Sequence, residues 1–201
     1  MVRKKLIRGF HLTICSIALF TMYVNSEMLA ENVIVAVNCG GDSYTDSKGI
    51  TYEKVFIYLK KFFKDNYFSG GQESDFGTNF EIKLTDEPEL YQTERWSSED
   101  LHYDLPISSP GKYVLVLKFS EVYFNSPTEK IFDVALGKDT IIKNIDIYSK
   151  VGKAAAYDEF VEFELKNNKI YIRVCYFYFT YNTCINRVNL LKADMMKKTD
   201  H

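Results

Sequence analysis

The run from Lys112 to Phe124, KYVLVLKFSEVYF, constrains the fold more than any other stretch of the chain. Its β-branched and aromatic residues suit the pleated, half-buried surface of a sheet. Turn residues fence it, Ser109-Pro110-Gly111 before and Asn125-Ser126-Pro127 after. It reads as a central strand. Val33 to Val37 (VIVAV) is a shorter one, ending in the turn Asn38-Cys39-Gly40-Gly41-Asp42. Thr51 to Lys64 (TYEKVFIYLKKFFK) fits a helix or a strand, Ser69-Gly70-Gly71 is a loop, and Leu90 to Glu94 reads as a short strand. Ile131 to Leu136 and Thr140 to Ile147 are strands about Gly137-Lys138-Asp139. In Tyr157 to Leu165, Val161, Phe163 and Leu165 share one face while Glu162 and Glu164 share the other. Asn167-Asn168 then turns the chain into Ile170 to Phe179. Strands about ten residues apart, with turn signals between them and little helical periodicity, predict an all-β fold, an antiparallel β-sandwich. No repeats or linkers divide it. One domain is expected over residues 31–192, with a polar tail at 193–201.

The first thirty residues have a different character. Arg3, Lys4, Lys5 and Arg8 precede an uncharged run from Gly9 to Val24, and small-residue exits follow at Ser26 and Ala30. That order describes a secretory signal peptide over residues 1–30. Sixteen helical residues rise only about 24 Å against roughly 30 Å of hydrocarbon, so a retained anchor is the lesser alternative. No later segment resembles a span, and the end of the chain carries no retrieval signal. Without residues 1–30 the chain keeps 21 Lys and Arg against 26 Asp and Glu, a net charge of −5. That balance speaks against nucleic acid, whose footprint is clustered positive charge. Cys39, Cys175 and Cys184 remain, and three cysteines allow at most one bridge. The core must therefore hold the fold, with no disulfide framework.

Catalytic and metal signals are thin. Past the leader only His102 and His201 remain, so any nucleophile–histidine pair would rest on His102. Three cysteines and one usable histidine lack the paired spacing of a zinc site. Asp42, Asp46 and Glu53 fall at positions one, five and twelve of a calcium loop, but Tyr44 and Ser47 stand where it needs a ligand and a glycine. Turn carboxylates are the better account. No metal, cofactor or enzymatic reaction is expected. The aromatic share is the outstanding signal, with 15 Tyr, 15 Phe and one Trp. Many of these rings must be core, yet several lie beside polar turns. There a ring can cover the C–H face of a sugar while amides and hydroxyls bind its rim.

Several motifs in order then resemble a known family. They are Val37-Asn38-Cys39-Gly40-Gly41, Gly49-Ile50-Thr51-Tyr52, Ser74-Asp75-Phe76-Gly77, Leu90-Tyr91-Gln92-Thr93-Glu94-Arg95-Trp96, Tyr113 to Phe124, Ile131-Phe132-Asp133-Val134 and Val151 to Glu159 (VGKAAAYDE). Together they resemble the malectin family, carbohydrate-binding proteins of the endoplasmic reticulum. The resemblance implies a sandwich of the carbohydrate-binding-module type, a galactose-binding-like jelly roll, with its pocket on loops at one end. It also implies a non-enzymatic, lectin-like role in glycoprotein quality control. The implied ligand is a glucose-containing oligosaccharide, such as a diglucosylated high-mannose N-glycan on glycoproteins. Proteins associated with the oligosaccharyltransferase are implied partners, and the endoplasmic reticulum lumen is the implied location, with secretion as the alternative.

The same resemblance assigns carbohydrate-binding residues. Phe76 and Trp96 stand where the family has pocket tyrosines, and Tyr123 and Phe124 match its adjacent Tyr-Phe pair. The family's sugar-binding aspartate aligns with Tyr181, followed by Asn182, whose amide is the candidate replacement. Loss of that aspartate leaves a second reading, a divergent β-sandwich that has given up sugar for a protein partner.

Overall fold

The computed structural model describes residues 5–7, 32–54, 71–105, 107, 109–166, 170–176 and 183–193. Their strands are β1 (Lys5–Ile7), β2 (Val33–Asn38), β3 (Tyr44–Thr45), β4 (Thr51–Lys54), β5 (Gln72–Ser74), β6 (Glu94–Ser97) and β7 (Leu101–Leu105). They continue as β8 (Gly111–Ser120), β9 (Phe132–Leu136), β10 (Asp139–Ile145), β11 (Ala156–Leu165), β12 (Ile170–Tyr176), β13 (Thr183–Ile185) and β14 (Arg187–Lys192). Two short helices, α1 (Glu89–Gln92) and α2 (Ile147–Val151), and a 3₁₀ turn (Phe76–Asn79) interrupt them. Apart from β1, the expected leader lies outside the described residues, as do the rest of the Thr51–Lys64 run, the Asn167-Asn168 turn and the tail beyond Ala193.

A seven-stranded sheet runs β1-β11-β8-β14-β2-β4-β3, a four-stranded sheet β10-β9-β12-β7, and a small third sheet β13-β6-β5. The alternation read from β11 is realised, with Val161, Phe163 and Leu165 buried and Phe160, Glu162 and Glu164 exposed. Inner faces of the two large sheets merge in one apolar cluster. Leu115, Leu117 and Phe119 of β8 meet Phe132, Val134 and Leu136 of β9 and Ile172 and Val174 of β12 there. Phe119 and Phe132 sit 5.6 Å apart at a tilted angle, and Tyr113 stacks on Phe163 at the same separation. The fold is the predicted β-sandwich.

Four local expectations change. One pair is parallel, since β2 runs alongside β4 in the same direction. Leu90 to Glu94 is a single helical turn followed by a strand. Pro88, at φ −61° and ψ −30°, is already in the helical basin, and the turn then buries Leu90 and Tyr91 on one side. The central strand stops at Ser120, because the next backbone donors turn away to a side-chain carboxylate. The Thr140–Ile147 strand stops at Ile145, where Asp146 accepts from Ser149 N and caps α2.

The seven-stranded sheet is tied to α1 and to the entry of the small third sheet by a polar seam at the start of β14. Asn186 is 0% exposed. Its Oδ1 accepts from Ser120 N at 2.8 Å, and its Nδ2 donates to the Tyr91 and Thr93 carbonyls, both at 2.9 Å. Its own N–H reaches Lys118 O, and its carbonyl accepts from Cys39 N. Beside it Arg187, 1% exposed, donates to the carbonyls of Glu89, Thr93 and Asn186 and to Thr93 Oγ1. Burial holds that guanidinium at about 10, below its ordinary range. At the end of β2, a Cβ on Gly40 would stand 2.0 Å from Glu94 O, so only glycine lets β2 lie this close to β6.

Asn186→Ala takes the acceptor from the buried Ser120 N–H and a donor from the Tyr91 and Thr93 carbonyls, the second of which keeps Arg187, and should lower stability by about 2–4 kcal/mol in a urea melt. A second expectation concerns alkali. Burial pushes the Cys39 thiol up to about 11 from 9.0, against the pull of a hydrogen bond from Tyr103 and of Arg187 and Arg95. Below the ordinary value both folded and unfolded chains hold the proton. Above it the unfolded chain releases the proton first, so stability falls as pH rises. Between about pH 8 and pH 10 the loss should be about 1 kcal/mol, and Cys39→Ala should remove that part of the slope.

Candidate functional site: an exposed aromatic ledge

Two loop segments far apart in the chain bring their rings together at one end of the sandwich. The first follows β5. Ser74 Oγ accepts from Phe76 N, Thr78 N donates to Asp75 O, and Asn79 Nδ2 returns to Phe76 O, closing the 3₁₀ turn. Gly77 seats this turn against the end of α1, where a Cβ would lie 2.5 Å from Gln92 O. Phe76 is left 42% exposed, with Phe80 at its edge 5.6 Å away.

The second segment follows β8. Glu121 Oε1 accepts from both Tyr123 N at 2.8 Å and Phe124 N at 2.9 Å, which turns the two residues outward. Tyr123 is 60% exposed and lies 5.9 Å from Phe76, and Phe124 meets Tyr123 edge-on at 5.0 Å. The four rings Phe80, Phe76, Tyr123 and Phe124 form one continuous series of contacts. Two lysines brace it. Lys153 Nζ lies 5.1 Å over Phe80 and donates to Tyr123 O at 3.2 Å and Asn125 Oδ1 at 2.8 Å. Lys130 Nζ lies 5.6 Å from the Phe124 ring, 3.1 Å from Glu121 Oε2 and 3.8 Å from Glu94 Oε2.

Of the residues singled out in the sequence, Phe76, Tyr123 and Phe124 are brought together. Trp96 is placed differently. On β6 it lies opposite Gln72 and Cys184 and packs, half-buried, against the main apolar cluster. Among the described residues no ring contact joins it to the ledge. It shares the strand face of Glu94, whose carboxylate approaches Lys130, the lysine that lies near the Phe124 ring. Tyr181 and Asn182 lie outside the described residues. Phe80, Lys153 and Glu121 are additions. The signals for them were local: Phe80 is four residues past Phe76, Glu121 two before Tyr123, and Lys153 lies within VGKAAAYDE.

Flat apolar faces open to solvent, bordered by amide, carbonyl and ammonium groups, suit a ligand with a C–H face and a polar rim. The other sequence candidates serve elsewhere. His102 lies against Tyr171 on the four-stranded sheet, 6.2 Å between ring centres. Asp46 closes its own turn by accepting from Lys48 N and Ile50 N, and Asp42 pairs with Lys54 at 2.9 Å.

This placement separates the ring packed on the apolar cluster from the ledge ring by stability. Trp96→Ala should cost about 2–4 kcal/mol in a urea melt, because it strips a large ring from the edge of the apolar cluster. Tyr123→Ala should stay within about 1 kcal/mol.

Comparison with known proteins agrees with the motifs. The malectin-domain family profile matches residues 33–190. Malectin of Danio rerio is 40% identical over 148 residues, 72% of this chain and 48% of the relative. Malectin of Homo sapiens is 38% identical over the same share of this chain and 47% of its own. The chain thus spans about half the length of the curated relatives it matches. Among solved structures, the ANXUR2 extracellular domain of Arabidopsis thaliana superposes with a TM-score of 0.67 at 17% identity, covering 80% of this chain and 48% of that one. A β-glucuronidase of Bacteroides uniformis gives 0.62 at 19%, over 79% of this chain and 18% of the enzyme. At such identities these two speak for the sandwich alone. The order of the motifs, the extent of the family match and the identity to vertebrate relatives lead to one assignment: this chain belongs to the malectin family.

Proposed function

We propose that the chain is a non-enzymatic carbohydrate-binding domain, and that its aromatic ledge takes a glucose-containing oligosaccharide. The carrying observation is the run of Phe76 and Tyr123, both open to solvent, and the half-buried Phe124, with ring separations of 5.9 Å and 5.0 Å. A dry core would have closed over these faces, and here Tyr123 offers most of its surface to water. A pyranose laid on them covers its C–H face, while Lys153, Asn125 and the Tyr123 hydroxyl are at hand for its rim. At about 0.5–1.5 kcal/mol for each ring, the three rings alone reach no further than about mM affinity, and hydrogen bonds to the rim supply whatever lies beyond it.

Family membership supports the finer reading. The ligand would be a glucosylated high-mannose N-glycan on glycoproteins in the endoplasmic reticulum lumen, with a role in their quality control and proteins of the oligosaccharyltransferase as neighbours. No described helix is long and apolar enough to cross a membrane.

Titration of the full chain with maltose, nigerose and glucosylated glycans tests the proposal by calorimetry and by Trp96 fluorescence. Saturable binding is expected, and Phe76→Ala or Tyr123→Ala should weaken it by about two- to tenfold without unfolding the chain. A wild-type chain that gives no saturable signal with any of these sugars would refute the reading.

A further inference from the structure

The loop that carries the ledge is hung on carboxylates. From Tyr123 to Thr128 every backbone N–H donates to an acid side chain. Tyr123 and Phe124 share Glu121 Oε1. Asn125 and Ser126 share Glu129 Oε2, at 3.0 Å and 2.8 Å. Pro127 has no N–H to give. Thr128, a β-branched residue at φ +69°, donates to Asp146 Oδ2 at 2.7 Å. Hydrogen bonds to an ionised acceptor are shorter and stronger than neutral ones. They hold a backbone path that includes one strained residue.

Glu121 differs from the other two acids. Glu129 is exposed and Asp146 half-exposed, whereas Glu121 is 1% exposed. One of its oxygens holds both ring-bearing amides, and the other lies 3.1 Å from Lys130 Nζ, the ammonium that also lies near the Phe124 ring. A buried ion pair adds little net stability, because desolvation offsets the attraction. What it supplies here is direction. Two adjacent residues that would otherwise continue β8 are turned out of the ladder and locked at one angle to Phe76. Lys153 fixes the opposite side of the same peptide by its bond to Tyr123 O.

We propose that Glu121 is the positioning residue of the aromatic ledge. It touches no ligand itself and acts through the orientation of Tyr123 and Phe124, with Glu129 holding the next two residues as a weaker support. Only its effect on affinity rests on the carbohydrate reading.

The test uses the full chain with Glu121→Ala, Glu121→Gln and Glu129→Ala, read by amide hydrogen exchange in NMR spectra and by titration with maltose and nigerose. Glu121→Ala should speed exchange at Tyr123 and Phe124 by about tenfold or more, leaving Asn125, Ser126 and the β8 amides unchanged. Glu129→Ala should do the reverse within the loop. Disaccharide affinity should fall about tenfold or more with Glu121→Ala, and less with Glu129→Ala. Glu121→Gln keeps an oxygen acceptor for both amides and should restore protection and most of the affinity. Should the alanine variant fail to fold, Glu121→Asp keeps the charge near Lys130 but shortens the arm by one methylene, and should show the same two-amide signature. Unchanged exchange at Tyr123 and Phe124 in a folded Glu121→Ala or Glu121→Asp chain overturns the proposal. So does faster exchange with disaccharide affinity intact. A wild-type chain that binds neither sugar yet shows the two-amide response upholds the positioning role and removes the carbohydrate reading alone.

Discussion

The side-chain amide of Asn186 is the junction on which the rest of the structure depends. It closes three hydrogen bonds at zero exposure, to the end of β8 and to the carbonyls of Tyr91 and Thr93 on either side of the α1 exit. Arg187 repeats the arrangement one residue on, gathering the carbonyls of Glu89 and Thr93. Buried polar groups are costly unless each finds its partner, and that requirement makes them exacting. Slide α1 or β6 by a residue and several donors lose their acceptors together. The seam therefore fixes where β6 starts, and with it Glu94, Arg95 and Trp96. It also fixes where β8 stops, since the Ser120 amide is committed to Asn186.

Beyond that stop the governing force changes from apolar burial to ionic hydrogen bonding. Up to Phe119 the strand is held by the packing of Leu115, Leu117 and Phe119 between the sheets. From Glu121 onward carboxylates hold the backbone, and apolar rings are free to face water. Exposed rings on a loop would ordinarily fold back onto the nearest apolar surface. Here the loop has no slack with which to do so. Its amides are occupied, its carbonyl at Tyr123 is held by Lys153, and its far end is tied to the start of α2 through Asp146.

The sandwich was legible wherever one residue answers to one face. Val161, Phe163 and Leu165 could be placed from spacing alone because the pleat leaves them a single choice of side. Leu90 to Glu94 could not be, because one helical turn is too short to show a period and Pro88 starts it only in this tertiary setting. The rings were visible as a composition but not as a site. Nothing in the residue type distinguishes Phe119, sealed at 0% exposure, from Phe76, open at 42%. The family motifs single out Phe76, Tyr123 and Phe124, which the fold brings together, and Trp96, which packs half-buried against the apolar cluster. Asn186 was hidden for another reason. Its partners are main-chain atoms 66 and 95 positions away, so no local pattern records them.

The place of β14 has a consequence for how the chain is made. It is the last of the described strands in sequence, yet it lies between β8 and β2, in the middle of the seven-stranded sheet. Until a ribosome has delivered it, both neighbours carry an open edge and the Ser120 amide has no Asn186 to receive it. Folding of this kind runs late and depends on distant pairings. Vectorial synthesis therefore completes the seven-stranded sheet only once β14 has emerged, and a nascent chain arrested before Asn186 is a client for chaperones, with two adhesive edges exposed.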